Sequence, residues 1–461
     1  MTTQTAKNKA MTERLVEWDK KHYFHPTTPL KEQQAKGPAH IFTHGKGIHV
    51  TDVYGKEFLD GVSSLWNVNV GYGRQELADA AREQMMTLAY GSSFFNNSHD
   101  VVIRLSQKLA SMAPGDLNVS FFTSGGSESN ESAIKIVRHY WKMKGQPERK
   151  KIIALERSYH GVTMGATSAT GVPEFKNMIT AIAPDFLHAL PHQTECELGD
   201  SSAPGYERSI RGIIEKEGPE TIAGVILEPV QGVGGIQIPP EGYLQAVRQL
   251  CDEYGILMMT DEVITGFGRT GKMFGVEHWE VVPDLMSVAK GITSGYIQLG
   301  AVMMTDRLRD ELADLSDNVF FHGFTYSGHP TACAVALKNI EIIENERLVD
   351  NAKQMEQELW KGLNYLQDTH KIAAKPRAIG LMGGIELLAD PDNGTTFEPS
   401  TFAAPAVVEE CAKRNLILRP LIFGGLNVIA IAPPLIVDKQ DIETIIATLS
   451  DSIQAFEQRV M

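Results

Sequence analysis

Asp261 and Lys290 stand where one kind of cofactor chemistry would need them. Asp261 closes the apolar run Ile256 to Thr260 and opens the segment DEVITGFGRTG, while Lys290 ends PDLMSVAK and is followed at once by Gly291. Short apolar runs bounded by turn residues predict buried strands, so the acid and the lysine are each expected at the C-terminal mouth of a strand. One βαβ-like unit would bring both to the same edge of a parallel sheet. A carboxylate against a protonated ring nitrogen, with an amine able to form a Schiff base, is what pyridoxal 5'-phosphate (PLP) needs to act as an electron sink. Either residue alone reads equally well as a surface charge ending a strand; the pair, set among glycines, favours the cofactor.

Other segments offer the remaining parts of such a site, each with a plainer reading beside it. In TSGGSES, between a strand and a helix, Gly125 and Gly126 would let backbone approach a phosphate and Ser127 would add a hydroxyl donor; the alternative is an ordinary N-cap turn. Tyr159 in SYHG, after the run KIIALE, would stack on a flat heterocycle or simply fill the core. Val263 would cover the opposite ring face on spacing alone. Arg419, isolated in LILRPLI, must meet either an internal carboxylate or a substrate's acid group. Trp66 in SSLWNVNVGYG is a core residue or a pocket wall, and HGFTYSGHP from His322 to Pro330 reads as a binding loop in which Thr325 could donate to a phosphate. GFGRTG also matches the dinucleotide pattern GxGxxG, which makes an NAD-dependent oxidoreductase the rival reading. The following KMFGVEHWEVVPD lacks a helical apolar face, and Asp284 precedes the next strand where a ribose-binding acid should end it.

The elements that must position these residues alternate between helical periodicity and short apolar runs. Helices are expected from about Gln75 to Leu88, Asp100 to Met112, Glu128 to Met143 and Gly242 to Tyr254. Strands are expected at Val119 to Thr123, Lys151 to Leu155, Ile222 to Leu227, Ile256 to Thr260 and Leu285 to Ala289. That alternation predicts an α/β domain with a mostly parallel sheet. Ile48 to Gly61 reads as a hairpin turning at Tyr54 and Gly55. It is expected to join a small α+β domain with the C-terminal part, where strands fall near Leu381 to Leu387 and at Val428 to Ala432. The division is 1–72 and 331–461 for the smaller domain and 73–330 for the larger.

Composition narrows the class. With 461 residues, 43% hydrophobic and 22% charged, the chain suits a two-domain globular enzyme. Its 43 Lys+Arg against 57 Asp+Glu give a net charge of −14, which argues against a nucleic-acid or anionic-membrane surface. Cys196, Cys251, Cys333 and Cys411 are too scattered for a zinc knuckle or disulfide framework, so no metal is expected. The polar N-terminus and the absence of any run of about 18 apolar residues point to a cytoplasmic chain.

Taken in order, DEVITGFGRTG, the Lys290 segment, TSGGSES, SYHG, LEPVQG and HGFTYSGHP resemble the class III (omega) aminotransferases of PLP fold type I. The likeness runs from about Trp18 to the final helix and is greatest to pyruvate-dependent omega-transaminases of the taurine:pyruvate and β-alanine:pyruvate type. It implies a seven-stranded-type sheet, a homodimer sharing two sites (with a dimer of dimers open), and an amine donor with pyruvate as acceptor. It further implies that Lys290 binds PLP covalently and shuttles a proton, and that Asp261 holds the pyridinium proton. Gly126 and Ser127 would bind phosphate, with Gly125 where several members carry Ser, while Tyr159 and Val263 would sandwich the ring. Thr325 with Phe324 would reach the neighbouring subunit's phosphate, and Trp66, Phe94 of the partner subunit and Arg419 would line the substrate pocket. Glu228 of LEPVQG would help order the Asp261 region, and Thr27 stands where some relatives place an aromatic. Diaminopelargonate- or ornithine-type aminotransferases and aminomutases share the same lysine and acid.

Overall fold

Seven strands form the central sheet of the computed structural model, which describes residues 3–315 and 319–460. Their order is Val119–Thr123, Gly300–Met304, Leu285–Val288, Leu257–Asp261, Ile222–Leu227, Lys151–Leu155 and Phe186–Ala189. All neighbours are parallel except Gly300–Met304, which runs against both of its partners. Two reversals cancel, so Val119–Thr123 again points the same way as the other strands, and its C-terminal end shares their edge.

Residues in the middle strands are buried throughout: all 6 of Ile222–Leu227 and all 5 of Leu257–Asp261. Such runs need cover on both faces, which is why they read as continuous apolar stretches rather than alternating ones. Helix Gly126–Met143 supplies part of that cover through Ala133, Val137, Tyr140 and Trp141, spaced to share one face, and Trp141 donates its ring N–H to the Ala223 carbonyl at 2.7 Å. Helix Tyr243–Tyr254 ends at Gly255 in the left-handed conformation (φ 60°), which turns the chain back into the Asp261 strand.

Two four-stranded sheets flank this core. In one, the hairpin His49–Asp52 and Glu57–Asp60 pairs with Phe42–Lys46 on one side and, in parallel, with Leu416–Ile417 on the other. Its turn is set by Asp52, whose carboxylate accepts the N–H groups of Tyr54 and Lys56 at 2.9 Å each. The second sheet orders Ala373–Ile379, Met382–Leu387, Val428–Ile431 and Arg419–Leu421. Leu416 to Leu421 thus passes from one small sheet to the other, with Arg419 opening the second.

Several elements differ from the sequence expectation. The Asp261 strand is shifted by one residue so that the acid lies inside it, and the Lys290 strand stops at Val288. Strands Phe186–Ala189, Gly300–Met304 and Ala373–Ile379 were not expected. Gly300–Met304 follows a short 3-10 turn, Lys290–Ile292, and a loop rather than an α-helix, so it breaks the βα rhythm by which its neighbours are read. Among the described residues, no helix is long and apolar enough to cross a membrane.

Candidate active site

A cavity of about 840 Å³ opens at the C-terminal edge of the central sheet, and Asp261, Lys290, Tyr159, Val263, Gly125, Gly126, Ser127, Trp66 and Arg419 all line it. A hollow of about 920 Å³ lies at the opposite strand ends, where Arg248 and Arg307 both pair with Asp284 and Lys144 with the nearby Glu311, and none of the predicted site residues lines it. The chemistry therefore belongs to the first.

Asp261 is almost fully buried, and its carboxylate is held from both sides. Oδ1 accepts from the Val263 N–H at 3.0 Å, while Oδ2 accepts from Asn130 Nδ2 at 2.7 Å and faces His160 Nδ1 at 2.9 Å. Facing a carboxylate, that imidazole nitrogen is the donor, which fixes the tautomer. Asn130 also donates to the His160 carbonyl at 2.8 Å, so acid, amide and imidazole form one unit. Neither Asn130 nor this use of His160 was foreseen. The available signal was an amide on the otherwise apolar face that Ala133 and Val137 continue.

Lys290 sits two residues beyond its strand in the left-handed region (φ 43°), a conformation that aims the side chain back over the sheet edge. Among the described residues its amine makes no hydrogen bond or ion pair; it lies over the Trp66 ring, with Nζ 5.6 Å from the centroid. Burial lowers its pKa to about 8, against the opposing pull of Asp261. An unfolded lysine keeps its proton up to about pH 10.4, so between pH 8 and 10 the unfolded chain binds more protons and stability rises with pH. Below about 8 the buried charge exerts its full penalty. Lys290→Met should therefore stabilise the cofactor-free protein by ~3 kcal/mol at pH 7, fading towards pH 10. Denaturant midpoints across that range check it, and a gain that does not shrink with pH would assign the effect to packing.

The glycine cup lies at the N-terminus of the 18-residue helix Gly126–Met143, whose first N–H groups have no partner within the helix. A Cβ on Gly126 would lie 2.9 Å from the Val263 methyls, so only glycine lets that side chain pack against the cup; at Gly125 it would meet open space. The Ser127 hydroxyl accepts from the Val162 N–H at 3.1 Å, leaving its own proton to donate. Tyr159 packs edge-on against Phe175 at 5.1 Å. Its turn is held by Glu228, whose carboxylate accepts the N–H groups of Tyr159 and Gly232 at 2.9 Å each and which burial pushes up to about 7. Glu228 thus orders the tyrosine rather than the Asp261 turn.

Trp66 is both core residue and pocket wall, with 2% of its surface exposed. It is carried on a segment in which Ser63 (φ 49°), Ser64 (φ 58°) and Trp66 itself (φ 56°) are all left-handed. Each such residue costs on the order of 1–3 kcal/mol and persists only where the surroundings over-determine it. Asp60 does part of this, accepting from the N–H groups of Val62 and Ser64 at 3.1 and 2.6 Å. Arg419 lies over the same indole, 4.9 Å from its centroid, and no carboxylate among the described residues pairs with it.

Phe94, Phe324 and Thr325 do not line the cavity of this chain. They gather elsewhere: Tyr90 donates to the Thr325 carbonyl at 2.8 Å, and the Phe94 ring closes on Gly323. The dinucleotide reading of GFGRTG fails, because a short 3-10 turn, Gly275–His278, follows it where a helix N-terminus would be needed.

Known proteins share this chain's sequence and fold. The model of the family Aminotransferase class-III matches residues 31–453. The chain is a class III aminotransferase. The putrescine–pyruvate aminotransferase of Pseudomonas aeruginosa is 38% identical over 432 residues, 92% of each chain. A transaminase from the marine bacterium Virgibacillus is 48% identical and superimposes with a TM-score of 0.94 over 97% of this chain and 100% of its own. The omega transaminase of Pseudomonas jessenii, solved in complex with PMP, is 34% identical with a TM-score of 0.91 over 97% and 99%.

The aminotransferase is accordingly PLP-dependent, and its residues fit that group. A buried carboxylate, an unpaired amine and a helix N-terminus behind a glycine that faces open space share one cavity. Those are the three contacts a pyridine nitrogen, an aldehyde and a phosphate require.

Proposed function

We propose that this aminotransferase moves an amino group from an ω-amino acid, a taurine-like amine or another primary amine to pyruvate, leaving alanine and an aldehyde or ketone. The observation that carries the acceptor is Arg419. Among the described residues, it is the one strongly basic side chain besides Lys290 that lines the cavity, and no acid pairs with its guanidinium. One free guanidinium suits one carboxylate, as in pyruvate, held by a bidentate pair. The similar putrescine–pyruvate aminotransferase supports the same choice.

When bound, PLP supplies an electron sink for the electrons of a broken C–H bond. Lys290 would hold the cofactor, and its free amine would take the proton from the substrate carbon next to nitrogen. Burial, by lowering its pKa to about 8, makes the neutral amine available for that role. Asp261, fixed by Asn130, His160 and the Val263 N–H, sets a negative charge against the ring nitrogen. Gly126 and Ser127 receive the phosphate with Gly125 beside them, and Tyr159 and Val263 confine the ring. Arg419 then orients the acceptor's carboxylate against the Trp66 wall. Phe324, Thr325 and Phe94 lie outside this chain's own cavity, which fits their contributing to a second subunit's site in a homodimer. The absence of any membrane-crossing helix among the described residues fits a cytoplasmic enzyme.

An absorbance scan of the purified protein tests this reading. Taurine, β-alanine, a diamine or 1-phenylethylamine should bleach the visible cofactor band, and pyruvate should restore it. Restoration by 2-oxoglutarate alone would replace the acceptor. Arg419→Ala should raise the KM for pyruvate by roughly 10- to 100-fold, the worth of a charge-assisted hydrogen bond, while an amine without a carboxylate is little affected. Equal losses for both would make Arg419 part of the scaffold.

A further inference from the structure

Arg269, in the GFGRTG turn, is fully buried, and among the described residues no carboxylate hydrogen-bonds to it. Its guanidinium spends its terminal donors on four acceptors. Nη1 donates to the carbonyls of Leu381 and Pro433 at 3.0 and 2.6 Å, and Nη2 donates to Ser63 Oγ and Asn69 Oδ1 at 3.0 Å each. Both side-chain acceptors are themselves tied down, Ser63 Oγ to the Ala432 carbonyl at 2.7 Å and Asn69 Nδ2 to the Phe267 carbonyl at 2.9 Å. Ser63 and Asn69 stand at equal distances before and after Trp66.

A buried charge that meets the acid Asp60 only through space and not through a hydrogen bond is a costly way to join loops, and an apolar side chain would fill the same space more cheaply. What the guanidinium adds is direction: a planar fork that fixes several acceptors at once, which the single point charge of lysine does not reproduce. Two of the four acceptors, Ser63 and Asn69, bracket the segment that presents Trp66, in which Ser63, Ser64 and Trp66 are left-handed, and Asp60 holds only the start of it.

We propose that Arg269 is the positioning residue for Trp66. By gripping Ser63 and Asn69 it keeps the segment between them in its left-handed course, so that the indole faces both Lys290 and Arg419 and limits the size of amine side chain the cavity admits. The inference rests on the proposed role of Trp66 as pocket wall, and its test separates the two.

Arg269→Lys and Ser63→Ala are made in the holoenzyme, each with and without Trp66→Phe, so that the fluorescence of Trp66 is obtained by difference and its quenching by acrylamide measured. Trp66 should be shielded in the unmodified protein, openly quenched in Arg269→Lys, and intermediate in Ser63→Ala. The ratio of kcat/KM for 1-phenylethylamine to that for a linear diamine should shift about tenfold in Arg269→Lys, equivalent to ~1.4 kcal/mol, and the shift should vanish when Trp66 is replaced by Gly. Unchanged quenching in both variants overturns the proposal, as does a selectivity shift that persists without Trp66. If Arg269→Lys does not fold, Ser63→Ala, which keeps the guanidinium and removes one acceptor, decides alone. If no amine in the panel is turned over, the donor reading fails while the quenching result still judges Arg269.

Discussion

Lys290→Ala should leave a folded protein that takes up PLP without a covalent bond and whose turnover falls by on the order of 10⁴-fold. Three other titratable side chains lining the cavity have other work or the wrong basicity. His160 commits Nδ1 to Asp261, Glu228 holds the Tyr159 turn, and Arg419 is too basic to accept a proton at neutral pH. Borohydride should trap the cofactor on the unmodified enzyme and not on the variant. Turnover close to that of the unmodified enzyme would end the assignment of Lys290.

Asp261→Asn should be the second most damaging change, lowering kcat by roughly 10²- to 10³-fold, as removal of one preorganised electrostatic partner does. The substitution is nearly isosteric, yet it fails twice. It removes the negative charge, and it turns an NH₂ group towards Asn130 Nδ2 and His160 Nδ1, or else leaves the Val263 N–H facing a donor. The loss should fall on kcat in both half-reactions rather than on the KM for pyruvate, because Arg419 is untouched. Half-reaction kinetics with a measured cofactor dissociation constant check this, and a loss confined to cofactor affinity would leave Asp261 as an anchor only.

What the chain reveals before folding follows from what each residue needs. Asp261 and Lys290 announce themselves because buried parallel strands are written as unbroken apolar runs, and a charge at the end of such a run is conspicuous. The glycines of TSGGSES are legible for the same reason, since a tight approach of backbone leaves few alternatives. Asn130 is not, because an amide inside a helix looks like a solvated position until its partner from another strand is known. Arg269 draws no notice: the glycines around it copy a nucleotide-binding pattern that the flanking residues argue against, and they let the turn pack against Leu435, Val349 and Lys353. Trp66 was undecidable between core and wall because it is both.

Val119–Thr123 touches the central sheet only through the reversed strand Gly300–Met304. A nascent chain that has left the ribosome as far as Lys290 therefore owns the lysine and the acid, while its glycine cup still hangs from an unpaired edge. Joining the two closes a long loop, a slow step during which an open strand edge invites misassembly. Cofactor capture has to wait for that late strand. PLP, bridging the glycine cup and the Asp261–Lys290 edge that the late strand joins, then acts by mass action as a clasp on the finished fold.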